Sequence, residues 1–224
     1  MISASPITPL LISLKVALTA TVVILPPGLL LGLFLSRRPF RGRVLLETIL
    51  YLPLVLPPTA IGYLLLRLFA RDGPLGPRVL GFDLDLLLTW KGAALASAIM
   101  AFPLVVRTAR VAFEGVNPRL PAMARTLGFR PVRAFFEVTL PLSRNGLLAA
   151  TILGFSRALG EFGATVVVAG NIPGRTQTMA LAIFNDIQVG RDDEALLLVS
   201  MTAAIAFAAI LSAEILLRDR RGAT

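Results

Sequence analysis

The chain has 224 residues, 56% of them hydrophobic and 16% charged, with mean hydropathy +0.80 and a formal net charge of +9. That much apolar surface exceeds what a soluble domain of this length buries, and a bilayer is the solvent that accepts it. With no Cys and no His, the chain excludes disulfides, thiol chemistry, His-based catalysis and the common zinc sites; with neither Lys15 nor Lys91 behind a glycine, it also excludes an ATP-binding loop ending Gly-Lys-Ser/Thr.

A membrane-crossing helix needs about 20 mostly apolar residues. Five stretches meet that need, near 10–36, 46–70, 89–113, 146–169 and 194–217, and together they predict an all-α membrane protein with one transmembrane domain over 1–224. In the first, Val16 to Ser36 carries no charge, and Lys15 can snorkel to the surface. This stretch is too long for a signal peptide and has no basic start, so a retained helix is expected. The second holds Pro53, Pro57 and Pro58, each of which removes a backbone donor. Those prolines serve shape alone or a moving gate. The third is short, Gly92 to Val106, and is extended by Trp90 and Arg107 at the interfaces. The fourth is apolar apart from Arg157 and Glu161, and the fifth runs from Ala195 to Ala213.

Cationic residues divide unevenly between the two sets of connecting segments. One set carries Arg37, Arg38, Arg41, Arg43, Arg107, Arg110, Arg119, Arg125, Arg130, Arg133, Arg144, Arg218, Arg220 and Arg221. The other carries only Arg71, Arg78, Lys91, Arg175 and Arg191. The positive-inside rule puts the first set in the cytoplasm, with the N-terminus outside and the C-terminus inside.

The connection 114–145 is too patterned for a plain loop. Asn117-Pro118 is a helix start, and residues 118–127 read as a short helix ended by Gly128 in the left-handed conformation. Pro131 opens a second stretch, Val132 to Val138, which Leu140-Pro141 should end before the chain re-enters the membrane. Two short helices bent at a glycine make a projecting knob. Periodicity alone fits an interfacial helix lying on anionic lipid equally well.

In the fourth span Arg157 and Glu161 are four residues apart and share one helix face. Ionisable groups in a span pair with each other or meet water, so this pair is either a structural ion pair or part of a pathway. Gly160 and Gly163 should allow a neighbouring helix to approach closely.

These segments carry a resemblance. Ala122-Met123-Ala124-Arg125-Thr126-Leu127-Gly128, followed by Val138-Thr139-Leu140-Pro141, resembles the coupling loop of ABC-importer permeases, Glu-Ala-Ala-x-x-x-Gly and then Ile-x-Leu-Pro. Ala122 and Met123 depart from the pattern's Glu and Ala; Ala124, Gly128, Leu140 and Pro141 match it. Residues 157–165, with Arg157, Gly160, Glu161, Gly163 and Thr165, are similar to the signature of the molybdate branch of these permeases, and 170–178 and 52–59 extend the likeness. The sulfate and tungstate branches carry close relatives of the same segment.

The resemblance implies a five-span permease core of the kind found in methionine importers, working as a homodimer in a prokaryotic cell membrane. Its implied partners are two copies of a cytoplasmic ATPase, seated on the loop, and an extracytoplasmic molybdate-binding protein; no nucleic acid is implied. ATP belongs to the ATPase, and this chain binds no cofactor and carries no catalytic residues. Thr165, Asn171 and Thr176 are donors near the outer end of span four, and 171–193 with 71–91 is the implied docking surface. Sulfate or tungstate transport is the alternative within the class. Outside the class stand a secondary transporter, which would need repeats and spare carboxylates the sequence lacks, and a small channel.

Overall fold

The computed structural model describes residues 6–37 and 40–218, with side chains as far as Leu211. Arg38, Arg220, Arg221 and the side chain of Arg218, part of the charge pattern above, lie outside the described residues. The described residues form helices and connecting turns, with no strand among them.

The first helix, α1 (Ile7–Arg37), runs unbroken through Pro26-Pro27. Next come α2 (Arg43–Val55) and α3 (Pro58–Phe69), then the one-turn α4 (Pro77–Leu80) and the long α5 (Trp90–Glu114). After α6 (Arg119–Thr126) the chain turns into α7 (Pro131–Ala134), a π-helical turn at Phe135–Thr139 and α8 (Leu140–Leu159) without interruption. The order ends with α9 (Gly163–Ala169), α10 (Met179–Gln188) and α11 (Asp192–Arg218). Three helices, α1, α5 and α11, are long and apolar enough to cross a bilayer singly. The pairs α2–α3 and α8–α9 reach that length only as bent spans, the first turning through 108° and the second, with α7, through 59°. By length and composition the described residues hold three such helices, or up to five if each bent pair is one span, and neither the second nor the fourth expected span is a straight helix.

At the centre, α5 packs against α1, α8, α9 and α3. Its contact residues are small: Ala93, Ala96, Ser97, Ala101 and Ala109 are all 0–1% exposed. Glycines on the neighbours complete the fit, since a Cβ on Gly32 would come within 2.9 Å of Ala109, and one on Gly146 within 2.4 Å of Ala112. Lipid tails are as apolar as leucine, so close backbone approach rather than apolar burial holds such helices together. Leu11, Leu18, Val22 and Leu30 on α1, and Leu196, Val199 and Phe207 on α11, stay exposed, as a lipid-facing surface requires.

Two local expectations are corrected. Leu140-Pro141 does not end a helix. The Leu140 N–H bonds back to Phe135 O, the five-residue step of a π turn, and Pro141, which has no N–H to place, follows it directly. The widened turn lets one helical rod run from Pro131 to Leu159. The segment 171–193, read as an outer loop, holds α10, whose Met179 and Ala182 are buried in a cluster with Leu198 of α11 and Leu10 of α1. The Met179 N–H donates to the Ser13 hydroxyl at 2.7 Å.

Candidate functional site: a broken span and a projecting knob

The break in the fourth span is built around one carboxylate. Helix α8 stops at Gly160 (φ −89°), whose N–H makes the last α-helical bond, to Ser156 O at 3.3 Å, before the next tightens to Glu161 N–H···O Ala158 at 3.4 Å. Phe162 is extended in φ (−129°), and α9 begins at Gly163 in a new direction. A new helix start exposes unpaired amides. Glu161, 2% exposed, supplies the acceptor: its Oε1 takes the Ala164 N–H at 2.9 Å. Its Oε2 meets Nη1 of Arg157 at 2.7 Å. The pairing anticipated from the four-residue spacing is thus present, with Glu161 standing just beyond the end of α8. A buried carboxylate satisfied on both oxygens, by a cation and an amide, is the arrangement that makes burial tolerable.

The two glycines of the signature behave differently. A Cβ on Gly163 would lie 2.9 Å from Pro58 Cβ and 3.4 Å from Thr59 N, so α9 touches the start of α3 there. Gly62 completes that contact, since its Cβ would lie 2.8 Å from Ala164 O. Gly160 offers no such approach; its Cβ would meet only Ser156 O, at 3.7 Å. Thr165 is fully buried and its hydroxyl has no hydrogen-bond partner. Asn171 Oδ1 is likewise buried without a partner, whereas the Thr176 hydroxyl accepts from Ile172 N–H at 3.0 Å and staples the turn after α9. On the far side of the break Phe162 packs against Phe184 of α10, with ring centroids 4.9 Å apart.

At the other end of the rod α6 projects from the bundle. Asn117 Oδ1 accepts the Arg119 N–H at 3.0 Å and opens the helix. Gly128 (φ +90°) closes it in the left-handed region, with Phe129 N–H returning to Ala124 O. Within the signature Ala124 is buried, while Ala122 is exposed and Met123 is 61% exposed. Leu120, Met123 and Leu127 line one side of an open apolar groove of about 530 Å3, and Val138, Pro141 and Leu142 line the other. Leu140 is half-buried against Phe113 and Leu147. The residues singled out at 122–141 and those at 157–165 therefore form two places on the molecule, joined by one rod.

Sequence reasoning missed a cluster at the arginine-rich end. Glu47 of α2 accepts from Arg43 at 2.7 Å and from Arg110 of α5 at 2.8 Å; Arg110 also meets Glu114 at 2.7 Å, and Arg43 lies 3.6 Å from Glu114. The spacings 43/47 and 110/114 were visible as helix pairs. Their mutual contact needs the tertiary fold. Among the described residues no group of His, Cys, Asp and Glu side chains could hold a metal ion.

Comparison with known proteins agrees with this architecture. The family described as binding-protein-dependent transport system inner membrane component matches residues 28–219. The chain belongs to that family. It is 44% identical to the molybdenum transport system permease protein ModB of Escherichia coli K12 over 94% of this chain and 93% of that one. It is 39% identical to the sulfate transport system permease protein CysT of Salmonella typhimurium, over 72% of this chain and 58% of that one. Among solved structures, a bacterial ABC transporter that imports alginate superposes with TM-score 0.73 at 19% identity, covering 94% of this chain and 79% of that one. The inward-facing MetNI methionine ABC transporter superposes with TM-score 0.67 at 16% identity, covering 96% and 93%. At those identities the two structures share the fold with this chain, an all-helical permease core of the kind named from the loop pattern.

Proposed function

We propose that this chain is the membrane permease of an ATP-driven importer for molybdate, acting as a homodimer with a separate ATPase and an external binding protein. The observation that carries the reading is end-to-end likeness to a permease named for molybdenum transport. The likeness to the sulfate permease leaves more than a quarter of this chain uncovered, and sulfate import is the second reading.

The geometry supports a division of labour. The arginine-rich end faces the cytoplasm by the positive-inside rule. There α6 presents Leu120, Met123 and Leu127 to a cleft of the ATPase, an apolar contact that does not need the glutamate absent at Ala122. ATP binding draws the two ATPases together and displaces the knobs. Gly128 joins the knob to a helical rod of about 43 Å from Pro131 to Leu159, at 1.5 Å per residue. The rod delivers that displacement to the Glu161 break, and the Gly163–Pro58 contact passes it to α3. Two copies related by a two-fold axis enclose the path, and nucleotide state selects which end is open. The permease performs no chemistry; hydrolysis occurs on the partner.

The test is uptake of labelled molybdate into proteoliposomes holding this chain, its ATPase and its binding protein. Uptake that requires ATP and ignores excess sulfate is expected. Uptake without ATP overturns the class, and block by sulfate moves the protein to the sulfate branch.

A further inference from the structure

At the arginine-rich end a cavity of about 420 Å3 separates α6 from the ends of α1 and α5 and the start of the long rod. Two arginines from different elements line it, Arg37 closing α1 and Arg125 on α6. Neither has a carboxylate partner among the described residues. Arg37 lies over the ring of Phe135, 5.4 Å from its centroid, which holds the guanidinium at the cavity without neutralising it. Glu114 is the one acidic residue in the lining, and its carboxylate is engaged by Arg110 at 2.7 Å and Arg43 at 3.6 Å. Thr139 also lines the cavity. It is 6% exposed, and its hydroxyl makes no hydrogen bond. A helical threonine normally donates to the carbonyl one turn back. The Thr139 hydroxyl makes no such bond to Phe135 O, whereas the Thr21 hydroxyl makes it to Ala17 O at 2.7 Å.

Two uncompensated guanidinium groups and an orphaned buried hydroxyl therefore share one cavity, which is of the size that holds small ligands. We propose that this cavity is an oxyanion site, taking a phosphate group or similar tetrahedral oxyanion, and that its occupant braces α6 against the bundle. The braced element has little else to hold it: Ala124 is the only buried residue of α6. Arg37 and Arg125 bind the anion by charge-assisted hydrogen bonds, and Thr139 donates a third. The same chemistry comes from two sources, the phosphate of an anionic lipid at the membrane surface or a free oxyanion in solution. The site does not depend on which substrate the protein transports.

The full-length chain, purified in uncharged detergent, tests this in two arms. One titrates phosphatidylglycerol against phosphatidylcholine by native mass spectrometry. The other titrates inorganic phosphate against chloride at constant ionic strength and follows the thermal midpoint. Saturable binding is expected in at least one arm, and the arm that responds names the source. Arg37→Gln and Arg125→Gln should each weaken it about tenfold or more, the loss of one charge-assisted bond. Thr139→Val keeps the side-chain shape and should weaken it about threefold, which keeps the test readable if an arginine variant misfolds. Arg144→Gln, exposed on α8 outside the cavity, should bind as the parent does. Hydrogen exchange over 119–126 should slow when the site is filled. No saturable binding in either arm overturns the proposal. So does a loss in Arg144→Gln equal to that in Arg125→Gln, because binding would then be diffuse surface charge.

Discussion

The two bent spans of this molecule bend for different reasons. Between α2 and α3 the turn of 108° is made by covalent sterics. A residue before proline is disfavoured in the helical region, and Leu56 and Pro57 both precede one. Their ψ values, 144° and 132°, are extended accordingly. No side-chain cap supports that bend, and α2 beyond it has no buried residue. Between α8 and α9 the turn of 59° includes no proline, and the Glu161 carboxylate holds it through Arg157 and the Ala164 amide. One bend is written into the backbone, the other into a side-chain network. The first should resist any single side-chain change away from its prolines; the second should fail on one.

That contrast predicts its largest effect at Glu161. Glu161→Ala removes the cap of α9 and leaves Arg157, 29% exposed, without its counter-charge. Breaking a buried pair from one side costs about 3–5 kcal/mol. Glu161→Gln keeps an oxygen for the Ala164 amide and loses only the charge, so a smaller loss of about 1–3 kcal/mol is expected. Thermal and SDS unfolding of the purified chain should rank parent, Gln and Ala in that order. Equal stabilities for Gln and Ala would mean that the amide bond contributes nothing.

Next comes the proline bend, where one substitution should not be enough. In Pro57→Ala the new alanine still precedes Pro58 and stays extended. Pro57→Ala with Pro58→Ala frees both positions to become helical. At 1.5 Å per residue, the span from Arg43 to Phe69 would lengthen from about 22 Å to about 38 Å if α2 and α3 became collinear. The absence of native cysteine allows a label to be placed at each end, and electron spin distances would report the change. A double variant that keeps the short distance would show that the packing of α3 on α9 enforces the bend without the prolines.

These two breaks also mark how far the sequence could be read. Hydropathy alone locates α1, α5 and α11, because a bilayer demands long apolar runs, and their ends lie within a few residues of the expected bounds. Prolines announce that the second span is irregular, but the packing of α3 on α9, where Gly62 meets Ala164, is a long-range contact with no local signature. Four-residue spacing gives the Arg157–Glu161 pair, while the second bond of Glu161, to an amide in the next helix, follows only once the break exists. The stop expected at Leu140-Pro141 failed because the helix continues into α8 through the π turn at Phe135–Thr139, which ends directly before that pair. Helix α10 was hidden in a segment assigned to an outer loop, although the apolar run after Thr178 could have signalled it.

A smaller effect is expected at the knob. Gly128 has φ +90°, and a side chain there would meet nothing within 4 Å, so Gly128→Val carries backbone strain and no clash. Strain of this kind costs about 1–2 kcal/mol, more for a β-branched residue than for asparagine. The chain should still fold, with α6 displaced relative to the rod. In the reconstituted importer, binding-protein-stimulated ATP hydrolysis should persist or fall while uptake per ATP drops, with Gly128→Asn closer to the parent. Full coupling in Gly128→Val would refute the knob as the point of transmission.

The smallest effect separates the glycines of the break. Gly160 ends α8 with a negative φ of −89°, which alanine adopts freely, and its Cβ would meet one carbonyl at an ordinary 3.7 Å. Gly160→Ala should therefore change stability by no more than about 0.5 kcal/mol. At Gly163 the same substitution puts a methyl 2.9 Å from Pro58 Cβ, and α3 must move away from α9. A visible fall in thermal midpoint and a loss of transport are expected there. If Gly160→Ala proved as damaging as Gly163→Ala, the break would depend on the glycine that ends α8, and the carboxylate of Glu161 would be a consequence of the bend rather than its support.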